Sequence, residues 1–250
     1  MSNLKGKVAV ITGGNSGIGY ATAQDFVAQG ATVIITGRNA EKVEKAAQEL
    51  GVKGLVADQS NLAHTDKLVA DVKAVYGKVD ILFINAGVFF GTSVGQIEES
   101  TFDTIMDINF KGAVFTLEKF VPILNDGASV INLSSINAYT GMPTTAIYGA
   151  SKAALNSYTR TAAKELAGRK IRVNAVNPGP VNTPIFGKTG MTQEQIEGFA
   201  AILQEKIPLG EFGTPESIAK LVTFLASDDA SFITGSEINI DGGSNIHSLV

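Results

Sequence analysis

The chain of 250 residues contains no cysteine. That excludes disulfides, thiolate metal sites and cysteine nucleophiles together. Its two histidines, His64 and His247, are too few for a self-sufficient metal cage, so no metal site is expected. Charge is scarce and nearly balanced: 20 Lys plus Arg against 24 Asp plus Glu give a net −4, which supplies no cationic field for phosphate backbones. No apolar run approaches the roughly 18 residues of a membrane span, and residues 1–7 lack the apolar core of a signal peptide. The expectation is a cytoplasmic protein with no nucleic-acid and no membrane partner. With 44% hydrophobic residues the chain is globular rather than disordered, and its length fits one α/β domain over 1–250.

Glycine is abundant, at 27 of 250 residues. Many glycines follow short runs of β-branched residues, at 8–12, 32–36 and 80–85. Further runs lie at 129–133 and 171–176, with weaker ones at 52–57 and 237–240. Apolar runs without strict alternation indicate strands buried on both faces of a parallel sheet. Helical periodicity fills the intervals 18–29, 40–50, 62–76, 101–124, 146–166 and 215–225. The alternation predicts an α/β doubly wound parallel sheet of about seven strands with helices on both faces, and with ligands beyond the carboxyl ends of the strands. The stretch 184–208 breaks the rhythm and reads as a substrate lid.

Thr12-Gly13-Gly14-Asn15-Ser16-Gly17-Ile18-Gly19 joins the first strand to the first helix. Glycine there lets the backbone turn tightly against a diphosphate, and the helix start offers unbonded N–H groups. Downstream stand Asn85-Ala86-Gly87, Asn109, Ser135 with Tyr148 and Lys152, and Pro178-Gly179 followed by Thr183. Tyr148 and Lys152 are four apart on a helical pattern, so phenol and ammonium share a face. A phenol must lose about 3 pKa units to exchange protons near neutrality, and neighbouring cations favour that loss.

In these five motifs, in order and spacing, the chain resembles the short-chain dehydrogenase/reductase family along essentially its whole length. The resemblance implies a single Rossmann-like domain and an NAD(P)(H)-dependent oxidoreductase that interconverts a ketone and a secondary alcohol. It implies that Tyr148 is the proton donor and acceptor, that Lys152 binds the nicotinamide ribose, that Ser135 hydrogen-bonds the carbonyl oxygen and that Asn109 anchors a water. It further implies that Gly13, Asn15, Ser16, Gly17, Ile18 and Gly19 hold the dinucleotide, Asp58 the adenine, and Asn85, Ala86 and Gly87 the adenine ribose. Pro178, Gly179, Val181 and Thr183 complete that set. A homotetramer is the assembly that the resemblance implies.

After the second strand the chain carries Arg38 and no acid. An acid would grip the ribose 2′-hydroxyl of NAD, whereas an arginine receives the 2′-phosphate of NADP, so NADP(H) is favoured and NAD(H) stays open. Phe89, Tyr139, Met142, Ile185, Phe186 and Leu203, together with Val88, are the candidate substrate wall, and they suggest a hydrophobic ketone. A 3-oxoacyl-carrier-protein reductase is the alternative, with Arg169, Lys170 and Arg172 available to dock an acidic carrier. A noncatalytic NADP(H)-binding sensor is an alternative of another class. Residues 91–95 match G-x-S-x-G, but no strand directly precedes them and no helix directly follows, as a nucleophile elbow requires.

Overall fold

The computed structural model describes residues 3–183, 198 and 202–246. Seven parallel strands form one sheet: β1 (Val8–Thr12), β2 (Thr32–Gly37), β3 (Lys53–Val56), β4 (Val79–Ile84), β5 (Leu124–Leu133), β6 (Arg172–Pro178) and β7 (Glu237–Ile240). Their spatial order is β3-β2-β1-β4-β5-β6-β7. The chain therefore builds outward from β1 to one edge, returns, and builds from β4 to the other. The crevice at this reversal opens above the ends of β1 and β4.

Side chains alternate across each strand, and both sets are buried. Val10, Ile34, Leu82, Ile84 and Val130 pack on one face against α3 (Leu62–Tyr76) and α5 (Gly112–Phe120). On that face too lies α6 (Ala146–Leu166), contributing Leu155 and Ala162. Ala9, Ile11, Ile35, Phe83 and Ile131 pack on the other face against α1 (Gly17–Ala28), α2 (Ala40–Leu50) and α7 (Pro215–Ala226). Two-sided burial is why the strands read as continuous apolar runs. Buried Asp25 of α1 bonds Lys220 and Thr223 of α7, a polar tie between neighbouring helices. Among the described residues no helix is long and apolar enough to cross a membrane.

The expected helix at 101–124 is not one element. It starts as α4 (Glu99–Met106), passes through a π-helical turn (Asp107–Lys111), continues as α5 and ends in a 3-10 turn (Val121–Ile123). Pro122 has no N–H to extend the helical ladder, and Leu124 opens β5 instead, pairing with Val79. Helical periodicity could not separate the two because the core receives Ile123 and Leu124 alike. Most of the stretch read as a lid lies outside the described residues.

Candidate active site

From the end of β1 the chain enters Gly13 at φ 65°, in the left-handed region that glycine adopts without penalty. Packing demands glycine again, since a Cβ on Gly13 would lie 2.9 Å from the Ala86 Cα. One on Gly19 would lie 2.6 Å from the Gly13 carbonyl, and one on Gly37 would collide with the Asn15 side chain. The N-cap of α1, Ser16, is extended and its side chain makes no capping bond. Ser16, Gly17 and Ile18 line the cleft, so the first turn of α1 offers it backbone donors and the positive end of a dipole.

Tyr148 and Lys152 both line the cleft from the start of α6. Lys152 is buried, its Nζ 5.7 Å from the centre of the Tyr148 ring and donating to the Leu133 carbonyl at 2.7 Å. Ser135 lies two residues past β5, its Oγ accepting from the Asn137 amide at 3.2 Å and close enough to the Tyr148 phenol to act on its acidity. Burial raises the phenol above its ordinary value, and Ser135 pulls the other way without overcoming it. The net shift is therefore opposite to the 3-unit loss that proton exchange at neutrality requires. In the protein alone Tyr148 is a protonated acid. Burial also drops the Lys152 ammonium to about 8, because a cation loses solvation there.

Asn109, in the π-helical turn, stands behind this pair. Its Oδ1 accepts from Val88 N at 2.8 Å, and its Nδ2 donates to the Val88 carbonyl at 2.9 Å and to Ser151 Oγ at 3.3 Å. Ser151 Oγ in turn donates to the Tyr148 carbonyl at 2.7 Å. Gly87 completes the cluster, since a Cβ there would lie 3.3 Å from Asn109 Oδ1 and 3.6 Å from Lys152 Nζ.

Arg38, Asp58, Asn85, Ala86 and Thr183 line the other parts of the cleft, whereas Gly19, Pro178, Gly179 and Val181 are not among its lining residues. Gly179 donates to the Ile240 carbonyl and lies so near Asp241 that a Cβ would approach its Cα to 2.7 Å. Val181 is buried and bridged to Gly213. Several lining residues were not foreseen, among them Lys42, Gln59 and Thr12. Lys42 sits beside Arg38, in the first turn of an α2 capped by Asn39 Oδ1; the cue was a lysine three positions after an N-cap at a strand end. Gln59 shares the wall with Asp58, and Thr12 Oγ1 accepts from the amides of both Asn85 and Ala86.

The candidate substrate residues scatter. Phe89 meets Tyr148 edge to face at 5.1 Å and Val88 lines the cleft. Tyr139 stands half exposed with its hydroxyl bonded to Glu237, Asn156 and Asn177, away from that wall. The Met142 carbonyl caps Thr145, and Leu203 is partly buried near Lys206. Ile185 and Phe186 lie outside the described residues. Residues 91–95 form no strand-to-helix elbow; Thr92 is bridged to Thr145 instead.

Residues 13–245 match the family model described as Enoyl-(Acyl carrier protein) reductase. The chain is 40% identical to the 3-oxoacyl-(acyl-carrier-protein) reductase of Thermotoga maritima over 248 residues, covering 96% of this chain and 98% of the relative. It is 36% identical to the NADP-dependent (R)-specific alcohol dehydrogenase of Lentilactobacillus kefiri over 251 residues, 96% of this chain and 97% of the relative. A solved short-chain dehydrogenase/reductase of Brucella melitensis superposes with a TM-score of 0.92 at 31% identity, covering 98% of this chain and 99% of the other. The chain belongs to the short-chain dehydrogenase/reductase family. This family binds NAD(P)(H), and the glycine turn fits such a group: its glycines let the turn close tightly on Asn85 and Ala86, and the start of α1 brings to the cleft donors that no side-chain cap occupies.

As a short-chain dehydrogenase/reductase, the protein carries a buried lysine with a measurable thermodynamic signature. Its folded pKa, about 8, lies below the unfolded value of 10.5, so between these limits the unfolded chain binds more protons and stability rises with pH. From pH 7 to pH 10 the unfolding free energy of the wild type should gain roughly 3 kcal/mol relative to Lys152→Met. Denaturant titration of both proteins at the two pH values reads it, and parallel pH profiles would refute the burial argument.

Proposed function

We propose that the protein is an NADP(H)-dependent oxidoreductase that reduces a hydrophobic ketone to a secondary alcohol and runs the reverse reaction. The observation that carries this reading is a Tyr148 kept protonated by burial, with the Lys152 ammonium 5.7 Å from its ring centre, on the wall of the cleft that the glycine turn opens. When bound, the nicotinamide supplies the hydride. Tyr148 gives its proton to the carbonyl oxygen, and the Ser135 hydroxyl donates to that oxygen as charge develops on it. Lys152, held by the Leu133 carbonyl, favours the resulting phenolate and binds the ribose. Asn109 fixes Val88 and Ser151 around the pair and anchors a water in a proton relay.

Arg38 and Lys42 support NADP(H). The two cations flank the start of α2 on the cleft wall, a site suited to a 2′-phosphate. Arg38 and Asn39, the two residues directly after β2, include no carboxylate to hold a 2′-hydroxyl. The apolar contact between Phe89 and Tyr148 supports an uncharged ketone.

A carrier-protein substrate has the Thermotoga relative in its favour, but the basic cluster offered for docking is engaged within the fold. Arg169 bonds Asp126 and the carbonyls of Val121 and Leu124, and Arg172 is buried against those of Ser227 and Ile233. Of the three cations, Lys170 alone is fully exposed. Initial rates with NADPH and NADH, using an aryl ketone and a 3-oxoacyl thioester as acceptors, separate the readings. Faster turnover of the ketone supports the proposal, and preference for the thioester replaces it. No turnover with either acceptor, alongside NADPH binding, favours a sensor.

Tyr148→Phe should lower kcat for ketone reduction about 10³-fold, the scale of a lost general acid, while NADPH affinity by fluorescence stays unchanged. Retained turnover removes Tyr148 from the mechanism. Replacing Arg38 and Lys42 together by leucine should weaken NADPH binding by about 10²-fold and NADH binding by less than about twofold. Equal losses for the two dinucleotides would show that neither cation meets the 2′-phosphate. By family likeness the protein is a homotetramer, and light scattering at four chain masses is the expected result; one chain mass overturns it.

A further inference from the structure

Gln59 follows Asp58 at the end of β3, where nothing in the proposed reaction assigns it a part. Its side chain is 8% exposed, and its Nε2 donates twice, to the Ala86 carbonyl and the Ile108 carbonyl, each at 3.0 Å. These two carbonyls belong to the segments that the Asn109 clamp joins. Ala86 lies two residues before Val88, and Ile108 immediately precedes Asn109.

The Ile108 carbonyl needs an outside donor for a local reason. In a regular helix the Gly112 amide would bond it, but here that amide is spent on the Asp107 carbonyl, five residues back. The extra residue of the π-helical turn shifts the helix phase by about 100°. Asn109 thereby reaches Val88 and Ser151. Gly112 is tied to the same arrangement, since a Cβ there would collide with the Gln59 carbonyl and lie 2.8 Å from its Cγ.

Packing alone does not call for glutamine at this position. Its Oε1 is buried without a partner, a cost that an apolar side chain of the same length avoids. The amide donors are what such a side chain would lack.

We propose that Gln59 is a positioning residue: by bonding the Ala86 and Ile108 carbonyls it stabilises the π-helical turn and holds Asn109 in register with Val88 and the Tyr148–Lys152 pair. The proposal rests on the dehydrogenase reading for its effect on rate, and on the geometry of the free protein for its effect on the clamp.

Gln59→Met and Gln59→Glu keep length and remove the donation, the second by presenting a carboxylate to two carbonyls. In the protein without dinucleotide, exchange of the Val88 amide, read by NMR, should quicken about tenfold in both variants, with the Val10 amide unchanged. In steady-state reduction of the aryl ketone, kcat should fall about tenfold while KM for ketone and for NADPH stay within about twofold. Unchanged Val88 exchange overturns the proposal, as does a higher KM for NADPH at constant kcat, which would make Gln59 a dinucleotide-binding residue. A lower melting temperature with both readouts unchanged, or failure of both variants to fold, also overturns it by assigning Gln59 to the fold alone. If the wild type turns over no ketone, the dehydrogenase reading fails, and Val88 exchange still decides the role of Gln59.

Discussion

The ends of β1 and β4 are bolted together where the sheet reverses direction. Thr12 Oγ1 accepts from the amides of Asn85 and Ala86, while Asn85 Nδ2 donates to the carbonyls of Thr12 and Gly13. Parallel neighbours with no direct connection meet here, so nothing in the chain's local sequence holds the two loops in register. Without the cross-link the glycine turn and the Gly87–Val88 segment would be related only through the β1–β4 ladder, which ends at the Thr12–Ile84 pair. With it, the close approach of Gly13 to Ala86 and the Val88 segment that Asn109 holds belong to one rim. A threonine at the strand end supplies a compact acceptor whose two lone pairs serve two successive amides.

From this rim the electrostatics follow. Lys152 reaches the floor of the cleft only because the Leu133 carbonyl, at the end of β5, accepts its ammonium. One neutral acceptor does not replace a hydration shell, so burial still disfavours the charge. The same burial keeps Tyr148 protonated. Two groups of opposite charge type are thus both held toward their neutral forms, and any positive charge placed beside them moves the phenol toward ionisation. The chain supplies an acid whose release is conditional on what occupies the cleft.

The sheet was legible because strands buried on both faces produce continuous apolar runs, and the helix-start donors because three glycines mark a turn. Tyr148 and Lys152 were legible as a pair because a spacing of four fixes a helical face whatever the tertiary context. The π-helical turn was not: 101–124 has the periodicity of one long helix, and an extra residue in a single turn changes a phase that apolar spacing does not resolve. Tyr139 looked like a pocket aromatic and instead faces Glu237 and the sheet edge, because the 3-10 turn Ile136–Ala138 after Ser135 redirects the chain. Lys42 escaped notice for the converse reason: its cue, a lysine three positions after the Asn39 cap, gains meaning only when α2 is placed against β2.

These omissions share a cause. Each concerns a residue whose role depends on a carbonyl, a cap or a helix phase supplied by a distant segment, and sequence spacing carries only the near partner of such a relation. Gln59 and Gly112 show this most clearly, separated by more than fifty positions yet in van der Waals conflict if either changes shape. A glycine within a helical pattern ordinarily weakens the helix, and Gly112 sits where the π turn hands over to α5. Its stability cost is local and visible in the sequence; the space it yields to Gln59 is visible only in three dimensions. The irregular turn and the bonds of Asn109 to Val88 and Ser151 are therefore parts of one local arrangement.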